Sequence, residues 1–156
     1  MKATSKPSPP RVQLSDLLYD ALEAEGVGPD WFADQFADWK ALGTAGEYAS
    51  FYFGKDGAYA EPRRGGCMVL RHAHLPPGDP AALAEWARLH RRRRRRTSDT
   101  CVIYTQDARF GYLLLYIARE PTGHAISDMR VPAAARFMSQ LADAAEAFMH
   151  DGAIVL

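Results

Sequence analysis

A chain of 156 residues, 47% apolar and 24% charged, has the makings of one globular core and is too short for two comfortable ones. It holds no apolar run long enough to cross a bilayer, and two cysteines alone cannot close a zinc site, so neither a membrane-spanning protein nor a zinc-cluster domain is expected. The 19 Lys/Arg and 19 Asp/Glu cancel, but unevenly: residues 61–130 carry thirteen basic against seven acidic side chains, between two acidic ends. That layout suits a protein that meets a polyanion with one region only, although Arg91 to Arg96 could equally form a solvated loop.

In chain order, Met1 to Pro10 is rich in Lys, Ser and Pro, and reads as a floppy tail rather than a signal peptide. A single domain is expected over 11–156. Val12-Gln13-Leu14 suggests a short strand running into Ser15, a plausible helix N-cap, with Asp16 in the first turn. Leu17, Leu18, Ala21, Leu22 and Ala24 give a helical stripe that Gly26 and Gly28 end. A second helix opens at Pro29-Asp30 and carries Trp31, Phe32, Phe36, Trp39 and Leu42 at helical spacing, as core aromatics rather than a base-stacking platform. Glycines and Pro62 make residues 44–66 loop-like. Cys67 to Leu75 reads as the first clear strand, followed by a short helix over Ala81 to Leu89 and then six arginines. Cys101 to Gln106 and Gly111 to Ala118 read as an antiparallel hairpin joined by Asp107 to Phe110. Ala134, Phe137, Met138, Leu141, Ala145, Phe148 and Met149 form one stripe of a closing helix that tolerates Pro132 in its first turn. The predicted class is α+β: N-terminal helices, a small antiparallel sheet of three to five strands with one face covered, and a C-terminal helix. Both cysteines lie in apolar runs and are expected to be buried free thiols in a cytoplasmic protein.

Chemistry concentrates between Cys67 and Asp128. His72 and His74 alternate in a strand, so both point to one face about 6.6 Å apart along the backbone, while Arg71 points to the other. Two such imidazoles can serve as acid and base near neutral pH. They could instead bind a metal with His124, Asp99 or Asp107 as third ligand, or pack as ordinary hydrogen-bonded histidines. Arg96 in Arg96-Thr97-Ser98-Asp99 could clamp a phosphate, and Asp99 could orient an imidazole; the same residues also suit a plain turn into a strand. His124 follows Pro121-Thr122-Gly123 and belongs to a loop. Tyr104 faces opposite to Cys101 and Ile103, and is either a core aromatic or a base-stacking group.

The order of short motifs is more specific than any one of them. Phe53-Gly54-Lys55-Asp56-Gly57-Ala58-Tyr59, His72-Ala73-His74-Leu75, Arg96-Thr97-Ser98-Asp99, Val102-Ile103-Tyr104, Leu113-Leu114-Leu115, Pro121, His124-Ala125 and Ala144 to Phe148 follow one another. This succession, over roughly residues 11–149, resembles the YafO family of type II toxin–antitoxin toxins. The resemblance implies a RelE/ParE-like fold, a cognate antitoxin, and an endoribonuclease that cuts mRNA on the translating ribosome; cleavage without metal or other cofactor is expected. It matches Lys55, Asp56, Tyr59, His72, His74, Arg96, Thr97, Asp99, Tyr104 and His124 by position. The basic block exceeds what the family pattern requires. The expectation drawn is a catalytic group of His72, His74, Arg96, Asp99, Tyr104 and His124, with Lys55, Arg71, Arg91, Arg92, Arg93, Arg94, Arg95 and Thr97 on RNA. The alternatives are a non-catalytic ribosome- or RNA-binding inhibitor of translation, and a gyrase-directed toxin.

Overall fold

The computed structural model describes residues 8–120 and 123–156. Pro121, one of the motif residues, and the first seven residues of the expected tail lie outside the described residues. Strand β1 (Val12–Leu14) runs into helix α1 (Asp16–Ala24). Ser15 caps that helix, its hydroxyl accepting from the Leu18 amide at 3.1 Å and donating to Leu115 O at 2.7 Å on the neighbouring strand. The cap therefore satisfies a helix donor and ties α1 to the sheet. Helix α2 (Pro29–Ala41) starts on its proline, and a short α3 (Gly46–Ala49) follows. Then come β2 (Asp56–Ala58), β3 (Arg63–Arg64), β4 (Cys67–Met68), β5 (Arg71–His74), α4 (Pro80–Arg91), β6 (Cys101–Asp107), β7 (Gly111–Ala118) and α5 (Pro132–Asp151).

The main sheet has the order β1-β7-β6-β5-β2, and β3-β4 form a separate two-stranded ribbon. Its pairs are antiparallel except one: β1 lies parallel to β7, so the sheet is mixed. The helical layers also exceed the expected single cover. α1 and α2 pack on one face, where Leu18, Leu22, Phe32, Phe36 and Trp39 meet Ala73, Val102, Tyr104 and Leu114. α5 packs on the other, where Met138, Leu141, Ala145 and Phe148 meet Cys101, Ile103, Leu113 and Leu115. β6 and β7 thus alternate between two cores, which explains their nearly continuous apolar sequences. A register shift at Ile103/Tyr104 turns both Leu115 and Tyr116 toward α5.

Four further expectations need correction. The run Cys67 to Leu75 is not one strand: Val69 and Leu70 are buried between β4 and β5 without continuing the ladder. Cys67 is exposed, because β4 belongs to the small ribbon, and only Cys101 is the buried thiol. Trp31 and Leu42 are exposed rather than core, while Phe32, Phe36 and Trp39 are buried. Residues 44–66, expected as loop, contain α3, β2 and β3.

Candidate active site

β5 is bonded to β2 on one side and β6 on the other, and this pairing fixes where its side chains go. His72 lies opposite Ile103 and His74 opposite Cys101, so both rings stand on the α5 face. Arg71 lies opposite Tyr104 and points to the α2 face. The two rings are 5.5 Å apart between centroids, and the His124 ring lies a further 5.5 Å from that of His74. Tyr59 completes the row, its ring 4.3 Å from His72.

His124 comes from the segment after β7 and is aimed by Asp99. One carboxylate oxygen, Oδ1, accepts from both the His124 amide and its ring Nδ1, each at 2.6 Å. With Nδ1 held there, Nε2 points away from the carboxylate, and the side chain is 62% exposed. Burial resists ionisation of Asp99, but the hydrogen bonds from His124 outweigh it and hold the carboxyl below its usual range. Gly123 makes this contact possible: a Cβ there would lie 1.6 Å from Asp99 O.

His74 is only 3% exposed. Its Nδ1 sits 2.7 Å from Ser98 O and 3.0 Å from the Ser98 amide. A protonated Nδ1 donates to the carbonyl, and an unprotonated one accepts from the amide, so only one of these bonds exists at a time. The carbonyl contact is shorter and fits the Nδ1–H tautomer. Either way, His74 clamps the loop that carries Asp99. Ser98 Oγ strengthens the clamp by donating to Leu75 O at 2.5 Å. Burial lowers the pKa of His74, and it pushes that of His72 down to about 4, helped by the neighbouring His74. His72 Nδ1 is buried and has no hydrogen-bond partner among the described residues. Lys55 is exposed and next to His74 in the ladder, near enough for its charge to depress both imidazoles.

The cations fall elsewhere. Arg96, expected to clamp a phosphate, is 0% exposed. Its guanidinium donates to Phe51 O and Glu47 O at 2.8 Å each, to Phe53 O at 3.2 Å and to Ser50 O, and lies 4.9 Å from the Trp86 ring. It holds the 47–53 segment together and cannot reach solvent. Tyr104, expected at the imidazoles, is fully buried on the opposite face. Its hydroxyl donates to Asp56 Oδ1 at 2.7 Å and accepts from Lys40 at 2.7 Å and Arg71 at 3.2 Å. Burial, then Asp56, raises its pKa. Arg95 also faces that side, paired with Glu47 at 3.2 Å. Arg91 to Arg94 and Thr97 are exposed, the arginines at the end of α4. Sequence reasoning missed the positioning roles of Gly123 and Ser98, whose partners lie some 24 residues away in the chain. It also missed Lys40, which the helical pattern of α2 places simply on a polar face.

Among the described residues, no three His, Cys, Asp or Glu side chains form a metal-binding group, and no helix is long and apolar enough to cross a membrane. No curated protein and no solved structure matches this chain. Residues 37–150 do match a known family, described as Toxin YafO, type II toxin-antitoxin system. That stretch runs from the middle of α2 to the end of α5, so it takes in β5, the Asp99 loop and His124. With well over half of its length inside that match, the chain belongs to the YafO family of type II toxin–antitoxin toxins.

Proposed function

We propose that this toxin is an endoribonuclease that cuts mRNA on translating ribosomes in the cytoplasm, by attack of the 2′-hydroxyl on the adjacent phosphorus. The observation that carries the reading is the row His72, His74, His124, with Asp99 bonded to the last and Lys55 beside the first two. In such a cleavage one group takes the 2′-hydroxyl proton as the oxygen–phosphorus bond forms. Another gives a proton to the departing 5′-oxygen, and the product ends in a 2′,3′-cyclic phosphate.

Burial holds His72 neutral at physiological pH, the state in which an imidazole nitrogen can accept a proton. Its depressed pKa weakens it as a base until a phosphodiester arrives; the negative charge then raises the pKa toward neutrality. His124 presents Nε2 to solvent and supplies the second proton-transfer group, oriented by Asp99. His74 acts as a positioning residue through Ser98. Lys55 neutralises charge that develops on the phosphorane. The ribosome would supply the positioning of the mRNA, and a cognate antitoxin would silence the toxin.

The test is to map RNA ends after brief induction of wild type, H72A and H124A. The expected result is ends in fixed codon phase for wild type, bearing 2′,3′-cyclic phosphate and insensitive to chelators, with each variant cutting about 10²-fold less or lower. Growth arrest without any new RNA ends would favour inhibition by occupancy. Equal cutting of free and ribosome-bound mRNA would remove the ribosome from the reading, and 5′-phosphate ends requiring a divalent ion would replace the mechanism.

A further inference from the structure

The cations that do not reach the imidazoles gather on the other face of the sheet. Between α2, α3 and the edge formed by β2 and β5 lies an open cavity of about 520 Å3, lined by Lys40, Arg71, Arg95, Trp39, Glu47 and Tyr112 among others. Asp56 also lines it and is the centre of an ionic network. Lys40 Nζ lies 2.8 Å from Asp56 Oδ2, and an Arg71 terminal nitrogen lies 3.4 Å from the same oxygen. Tyr104 holds the other oxygen. Glu47 is likewise engaged, by the Asp56 amide at 2.7 Å and by Arg95. Three cations therefore face two carboxylates, leaving an excess positive charge.

Donors remain uncommitted. Arg71 is only partly engaged through Tyr104 and Asp56, and the Arg95 side chain is 53% exposed. Trp39 is nearly buried, and its indole Nε1 has no acceptor among the described residues. A buried N–H without a partner is uncommon, and Trp39 borders the cavity, so its indole signal reports on what enters there. Arg91 to Arg94, all exposed, lead directly into Arg95 along the chain.

We propose that this cavity is a second phosphate-binding site, which takes a phosphodiester of single-stranded RNA that passes around the β2 edge from the imidazole row. The proposal rests on the RNA reading above and extends it to the far face. Arg71 and Arg95 grip the phosphate oxygens, and Arg91 to Arg94 contact flanking phosphates. Lys40 stays in the Asp56 network and adds its field. Because the contacts go to phosphate, the site strengthens binding without choosing sequence.

The experiment uses the full chain carrying H124A, so that RNA is not consumed, alone and combined with R95Q, R71Q or both. Affinity for a short single-stranded RNA is measured against salt, and the Trp39 indole N–H is followed by NMR during titration with that RNA and with inorganic phosphate. The expected result is a saturable Trp39 shift with RNA, weaker affinity for each variant, and a salt slope reduced by about one for each phosphate contact removed. R95Q removes an exposed side chain with its Glu47 pair and its contact with Tyr48, so it keeps the test valid should R71Q fail to fold. Unchanged affinity and slope in R95Q would overturn the proposal. So would a Trp39 signal that moves with inorganic phosphate or the antitoxin chain but not with RNA. If wild type cuts RNA while R95Q binds it like its parent, only this site falls. If wild type cuts nothing but R95Q still weakens RNA binding, the catalytic reading falls and this site stands.

Discussion

His124 is aimed by a neighbour that has no side chain. The Gly123 backbone sits so close to Asp99 that any Cβ would overlap the Asp99 carbonyl, and this approach brings the His124 amide and ring onto Oδ1 together. Gly123→Ala must therefore push the segment outward and break both bonds. RNA cleavage is expected to fall about 10²-fold, the scale of an ångström of misplacement. The thermal midpoint should change little, because the segment is a surface turn. Single-turnover cleavage beside a melting curve checks this; full activity in the alanine variant would separate the Asp99 contact from catalysis. Asp99→Asn keeps the shape but removes the charge, and its amide oxygen can still accept from Nδ1. It should lose less than Gly123→Ala if orientation matters more than charge.

Arg96 shows the same economy of position among the elements. Four carbonyls from the segment around α3 converge on one guanidinium, Gly54 packs against Arg96 O, and the Lys55 amide donates to that oxygen at 2.8 Å. The residue thus fastens α3, β2 and the loop carrying Asp99 to one another. Arg96→Ala removes the guanidinium that joins those acceptors, with Phe51 O keeping only its Trp86 donor, and should destabilise the fold by about 3–5 kcal/mol, the scale for opening a buried charged network. Arg96→Lys, with one compact ammonium in place of a planar fork, should recover only part of this. Urea denaturation reads both; wild-type stability in Arg96→Ala would refute the fastening role. Nothing in the sequence foretold it. A charged residue in a run of six arginines reads as solvated, and its acceptors lie more than forty positions away. α1, α2 and α5, by contrast, were legible because local chemistry specifies them: Ser15 caps, Pro29 and Pro132 start, and apolar residues recur at helical spacing. The alternation that placed Tyr104 opposite Cys101 and Ile103 was legible too. What its far face contained was not, since Lys40 and Asp56 reach it from other elements. The break at Val69-Leu70 was hidden because burial gives a strand and a crossing segment the same apolar composition. β1 was visible as a short strand, but its parallel partner β7 comes much later in the chain, after β2 to β6, so nothing local announces the pairing.

At the scale of the whole molecule, the imidazole row links the site to global stability through protons. Folding holds His72 at about 4, against an ordinary value of 6.5, and lowers His74 as well. A group whose folded pKa is depressed favours the folded state fully above its unfolded value. That contribution fades as pH falls from 6.5 toward 4, because the unfolded chain takes up protons that the folded chain refuses. The groups that modulate His72 are His74, His124 and Lys55, which lower its pKa, and Asp56, which raises it, while burial dominates. Asp99, Asp107 and Asp128 are also depressed from 3.8 and Glu85 from 4.5, so their losses set in toward the acid end of that window, and the upper part reports the histidines. The protein should therefore begin to lose stability as pH falls below 6.5, and continue to lose it toward pH 4. His72→Gln, which cannot take a proton, should be less stable than wild type at pH 7 if the packing against Tyr59 suffers, yet show a shallower decline over that window. Urea midpoints at several pH values for both proteins decide the matter. Parallel curves would mean that His72 titrates alike in the folded and unfolded chains, and the buried neutral base assigned to it in RNA cleavage would go with them.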